Sequence, residues 1–193
     1  PRKKFTFFGS YDHTIDAKGR IIIPNAYRKA LGDSFTITIG LDDRAIAIYP
    51  DAAFEEMVEA LYRLNRRKPS VQRQQDHIAK FSYPGLQADN QGRVLLPAKL
   101  RQYVLGDAKD VEISGALDHV RIIDSAAGLE EDTYYKEHRD EIADDIAELL
   151  GVHQADEGVL IGHDQRAVHG IHPFDGKLHG PAAVDDGSRG IDM

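Results

Sequence analysis

Asp16-Ala-Lys-Gly-Arg20 places a carboxylate and a guanidinium four positions apart around a lysine and a glycine, and Asp89-Asn-Gln-Gly-Arg93 repeats the arrangement. An aspartate at a strand end accepts backbone N–H groups across a turn, and a glycine three residues on supplies the positive φ that a tight turn needs. The arginine then begins the returning strand. It lies close enough to its aspartate to be braced, yet can present a planar five-donor fork to a phosphate or to guanine. Lys18 and Gln91, at the apexes, are its natural companions. One such pair alone is commonly a local surface ion pair worth about 0–1 kcal/mol. Two copies in matching surroundings mean more, because a mere turn tolerates Lys, Ser or Asn at these places. The candidate nucleic-acid contacts are therefore Asp16, Lys18, Gly19 and Arg20 in the first copy and Asp89, Gln91, Gly92 and Arg93 in the second. Arg28 and Arg101, further along each copy, are as readily structural as phosphate-facing.

The surroundings match because the chain repeats itself at an offset of about 73 residues, as a search for internal periodicity reveals. Asp, Gly, Arg, three aliphatics, Pro and Arg of Asp16–Arg28 recur in Asp89–Arg101, and Leu31-Gly32-Asp33 recurs one insertion later as Leu105-Gly106-Asp107. Leu41-Asp42 and Ile46 then meet Leu117-Asp118 and Ile122. Each copy reads as strand, turn, strand, short helix, strand, turn, strand. Pro24 and Pro97 suit the first position of a helix, and Gly32 and Gly106 suit its end. Phe35–Ile39 and Ala45–Tyr49, separated by Gly40-Leu-Asp-Asp43, predict a hairpin. After the first copy, Phe54, Met57, Val58, Leu61 and Leu64 fall at helical spacing behind the capping residue Asp51. After the second, a longer acidic helix is expected from about Leu129 to Leu150, its charges mostly a solvated face. The basic Arg66-Arg67-Lys68 marks the junction and reads as a solvated helix end.

Composition narrows the class. The 193 residues are 41% hydrophobic, enough for a real core, and hold no cysteine, which excludes a disulfide framework or thiolate metal site and suits a reducing cytoplasm. No apolar run approaches the ~20 residues of a membrane span and the start lacks a secretion signal's apolar core, so a soluble intracellular protein is expected. The net charge of −8 argues against a polyanionic partner only as an average. Residues 1–103 hold 17 Lys or Arg against 11 Asp or Glu, and residues 104–193 hold 7 against 21. A basic face can therefore meet phosphate while the acidic remainder stays in water. Residues 151–193 contain eight Gly and five of the nine His without sustained periodicity, and are expected to form an irregular or disordered tail. His163, His169, His172 and His179 lie there without a companion carboxylate at metal-site spacing. No nucleophile with a base and no phosphate-cradling glycine loop is present, so no catalytic residue, metal or cofactor is assigned.

The segment Phe8–Pro24, with Phe81–Arg101 as its counterpart, resembles the MraZ family of the AbrB-like swapped-hairpin superfamily, over roughly residues 5 to 150. The resemblance implies an α+β fold of two tandem pseudo-symmetric swapped-hairpin repeats forming a small β-barrel core with flanking helices. The repeats would be 5–69 and 70–150, each with its following helix. It also implies a transcriptional regulator of the division and cell-wall gene cluster, in the cytoplasm and nucleoid. Such a regulator would assemble into a homo-oligomeric ring and bind direct promoter repeats of double-stranded DNA through its Asp-x-x-x-Arg turns. The second copy departs by replacing Ala17-Lys18 with Asn90-Gln91, which ranks Arg20 and Lys18 above Arg93 as contacts. A protein-interaction module using the acidic helix is the alternative, and an enzyme is the least expected.

Overall fold

The computed structural model describes residues 6–64 and 68–151. Their elements run β1 Ser10–Thr14, β2 Arg20–Ile22, α1 Asn25–Leu31, β3 Phe35–Ile39, β4 Ile46–Pro50, α2 Asp51–Tyr62, α3 Pro69–Lys80, β5 Tyr83–Leu86, β6 Arg93–Leu95, α4 Ala98–Leu105, β7 Asp110–Gly115, β8 Val120–Asp124, α5 Ser125–Glu137 and α6 Arg139–Leu150. The fold is mixed α+β with antiparallel strand pairing throughout these elements. The order ββαββα occurs twice, as the internal repeat requires. Both occurrences of the four strands and the short helix fall within a compact unit ending at Ile142; a second unit begins at Ala143.

Six strands form one sheet in the order β1-β7-β8-β4-β3-β5, and β2 pairs separately with β6. The first strand of each copy thus pairs with the third strand of the other: β1 with β7, from Ser10 opposite Ser114 to Thr14 opposite Asp110, and β5 with β3. β1 and β2 do not pair with each other across the Asp16 turn. Each runs instead beside a strand of the other copy, so the turn joins two different sheets. Nor is a closed barrel formed among the described residues, since the six-stranded order ends at β1 on one side and β5 on the other.

The β3–β4 hairpin forms where the apolar, β-branched runs predict it, and all ten of its residues are buried. Phe35, Ile37 and Ile39 join Ile46 and Ile48, and with Ile113, Val120 and Ile122 they belong to a single apolar cluster. Each fully buried aliphatic of this kind stabilises the fold by about 1.5–3 kcal/mol. The intervening Thr36 and Thr38 are buried yet satisfied: Thr36 Oγ1 donates to Asp51 Oδ1 at 3.0 Å, and Thr38 Oγ1 lies 2.7 Å from Ser82 Oγ. Hydrogen bonding makes that polar burial tolerable.

The helices require four corrections, the first at α2, where Pro50 stands at the cap and Asp51 is the first helical residue. Pro24 and Pro97 stand one residue ahead of α1 and α4, at the cap, rather than at their first turn positions. The helix expected over 129–150 is two, because His138 leaves helical geometry at φ −111°. Its ring stacks on Tyr134 at 4.0 Å, and its Nδ1 lies 2.9 Å from the Tyr134 carbonyl, which also accepts the His138 backbone N–H at 3.0 Å. Finally, α3 was not anticipated. Its polar Gln-rich sequence shows a single buried residue, Ile78. Arg66, Arg67 and the tail from residue 152 lie outside the described residues.

Candidate nucleic-acid interface

Both aspartate turns have one geometry. In the first, Asp16 Oδ1 accepts the backbone N–H groups of Lys18 and Arg20, each at 2.9 Å, while Oδ2 accepts Arg20 Nε and Nη2, each at 2.7 Å. In the second, Asp89 Oδ1 accepts Gln91 and Arg93 N–H groups at 2.9 Å, and Oδ2 accepts Arg93 Nε at 2.7 Å. Gly19 and Gly92 both sit at φ +79°, closing the turn with an N–H to the aspartate carbonyl at 2.9 and 2.7 Å. The carboxylate therefore holds the loop and aims the guanidinium together.

These bonds fix the charge state. The backbone N–H of Arg20, then its side chain, hold the Asp16 carboxyl down at about 2, and the same two interactions from Arg93 lower Asp89. Each turn accordingly presents a charge-assisted pair, the stronger kind of hydrogen bond. Arg20 and Arg93 are 29% and 32% exposed, so neither is walled inside the protein. Lys18 and Gln91 are exposed at the apexes, and only Lys18 adds an unneutralised charge.

The β2–β6 ribbon brings the two turns together. Arg20 lies opposite Leu95, Ile21 opposite Val94 and Ile22 opposite Arg93. Cross-strand partners and residues two apart share a face of the pleat. One face therefore carries Arg20, Ile22, Arg93 and Leu95, and the other carries Ile21 and Val94. Burial follows that division: Ile21 and Val94 are 1% and 3% exposed, Ile22 and Leu95 45% and 57%. The antiparallel direction sets the arginines at one pair of opposite corners and the aliphatics at the other.

Arg28 and Arg101, left open by the sequence, are cross-braces between copies. A Cβ on Gly92 would lie 2.0 Å from Arg28 Cζ, and one on Gly19 would lie 2.5 Å from Arg101 Nη1. Each arginine thus covers the other copy's turn glycine, and Arg28 Nε also donates to the Ile23 carbonyl at 2.8 Å. Both turns need glycine for φ, and at Gly92 a Cβ would also have to displace Arg28. All eight candidate residues therefore lie in the two turns that the ribbon joins. Sequence reasoning missed the exposed Ile22 and Leu95. Burial on one side exposes the middle residue of each aliphatic triplet, and the pairing of β2 with β6 sets which side that is.

The chain resembles known proteins. The family model for MraZ protein, described as antitoxin-like, matches residues 6–77. The transcriptional regulator MraZ of Lachnoclostridium phytofermentans is 39% identical over 143 residues, covering 74% of this chain and 96% of the relative. That of Symbiobacterium thermophilum is 38% identical over 143 residues, covering 74% and 99%. The transcriptional regulator MraZ of Desulfitobacterium hafniense is 40% identical over 119 residues, covering 60% and 79%.

Proposed function

This chain belongs to the MraZ family of transcriptional regulators, which is not a family of enzymes, and from that premise we propose that it binds double-stranded promoter DNA through its two arginine turns. The observation that carries the reading is the common face of the β2–β6 ribbon, where Arg20 and Arg93 stand together, each braced by its own carboxylate. A braced guanidinium loses less freedom on meeting a phosphate or a guanine edge than a free one. Lys18, at the first apex, adds a phosphate contact that Gln91 does not, so the first turn contributes more. The partition of charge along the chain supports the same orientation, with the basic first half toward DNA.

In this reading the exchange of first strands between copies is the swapped-hairpin arrangement, with 5–69 and 70–150 as the duplicated units. Copies of the chain associate head to tail into a closed ring and present their turns in the same sense around its rim. Such a ring reads direct repeats spaced by about one helical turn, ~10 bp, and gains affinity from several weak sites acting together. The targets are promoter repeats of the division and cell-wall gene cluster, and the protein works in the cytoplasm at the nucleoid.

A gel-shift titration with DNA from upstream of the chain's own reading frame, beside mass measurement of the free protein, tests this. Wild-type protein is expected to bind with a steep loss of affinity as salt rises. Arg20→Ala is expected to keep the wild-type mass and lose binding by about 5- to 150-fold, the range for one specific arginine contact. Binding by Arg20→Ala that persists at moderate salt contradicts the reading.

A further inference from the structure

Ile22 and Leu95 are the unexplained residues of the ribbon. An aliphatic on an exposed strand face is normally replaceable by a polar residue without cost to the core, and here the chain places one at each equivalent position of its two copies. Both are about half exposed, while their neighbours Ile21 and Val94 are buried to 1% and 3%. The hidden face supplies the ribbon's part of the core, through Ile21 and Val94, and Ile22 and Leu95 lie outside that cluster. Two side chains are also too small a patch for a stable protein interface, which buries about 800 Å² on each partner.

Their setting points to a different occupant. Ile22 lies directly opposite Arg93 and Leu95 opposite Arg20, so each apolar side chain shares a rung with a braced guanidinium. A two-stranded ribbon fits the DNA major groove, about 12 Å wide, and the one apolar group displayed on its floor is the C5-methyl of thymine. Resting on the DNA-binding reading above, we infer that Ile22 and Leu95 are specificity-determining residues that contact thymine methyl groups, while Arg20 and Arg93 on the same face engage phosphate or guanine. The guanidinium donors at the flanking corners are each ion-paired to a carboxylate, and Lys18 beside the first turn supplies the charge that a polyanion selects. The ribbon's local two-fold arrangement then provides two methyl contacts for each copy of the chain, one near each turn.

The test uses the full chain and duplexes tiling the DNA upstream of its own reading frame. In the duplex that binds, thymines are replaced singly by deoxyuridine, which removes the methyl and leaves base pairing intact. Wild-type affinity is expected to fall about fourfold at each contacted thymine, the effect of one buried methyl-sized group. Ile22→Ser combined with Leu95→Ser is expected to bind the same duplexes with no difference between thymine and uracil, at unchanged assembly mass and with the wild-type salt dependence. Wild-type protein that binds promoter DNA equally well with uracil at every position overturns this inference and leaves the DNA-binding reading standing. A double variant that alters assembly mass while keeping its preference for thymine assigns the pair to a protein contact and also overturns it. If the wild-type chain binds none of the duplexes, the DNA-binding reading fails and this one with it.

Discussion

Asp16 is the residue on which the first turn's shape depends, since its two oxygens take two backbone N–H groups and the Arg20 fork. That arrangement sets an acid limit. The Asp16 carboxyl titrates at about 2 in the folded chain against 3.8 for a free aspartate. Because the folded value is depressed, the turn's contribution is fully present above 3.8 and is lost as pH falls through about 2. An NMR titration of the Asp16 carboxyl carbon is expected to show this midpoint, with the Lys18 and Arg20 amide shifts moving in step. A midpoint near 3.8 would mean that the carboxylate is not engaged in solution. The aspartate, glycine and arginine of this turn were legible in the sequence because their chemistry is local, within five residues. Ile22 and Leu95 were not, since only the pairing of β2 with β6 assigns one member of each triplet to the open face.

Turn and helix meet across the two copies. Gly19 and Gly92 have the same φ, but the arginines over them are held differently, because Arg28 also donates to the Ile23 carbonyl. Gly19→Ala is expected to cost about 1–2 kcal/mol in urea unfolding, the penalty of a Cβ at positive φ. Arg101 swings aside at little further cost. Gly92→Ala must also displace Arg28 and is expected to cost about 1 kcal/mol more, the worth of the hydrogen bond lost. In an Arg28→Ala background that excess should vanish, a coupling that the double-mutant cycle measures directly. Equal costs for the two alanines would remove the cross-brace. The roles of Arg28 and Arg101 were beyond sequence reasoning because their partners lie more than 60 residues away. The β3–β4 hairpin was legible, its apolar runs bounded by Gly40 and Asp43. The helix α3 was not, having too few apolar residues to mark a face, and the break at His138 carries no glycine or proline to announce it.

Across the molecule, neither copy pairs its own first strand. Among the described residues β1 pairs with β7 and β5 with β3, so each half leaves strand edges open without the other. Chains 1–67 and 68–193, produced separately, are therefore expected to show little cooperative unfolding alone and to form a stable one-to-one complex when mixed, followed by circular dichroism and mass. Independent cooperative folding of both as monomers would contradict the exchange. The duplication itself was legible from the repeated motif, but which strands trade partners was not. Identical apolar patterns allow pairing within a copy or between copies, and periodicity does not distinguish them.

The ribbon face either meets DNA or it does not, and photocrosslinking decides this most directly. A photoreactive probe is attached at position 18, at position 91 or, on the α2 surface, at position 56, and each protein is irradiated on DNA from upstream of its own reading frame. Crosslinks to DNA are expected from positions 18 and 91 and none from 56. Crosslinks from position 56 alone, with 18 and 91 silent on bound DNA, would place the contact elsewhere and contradict it.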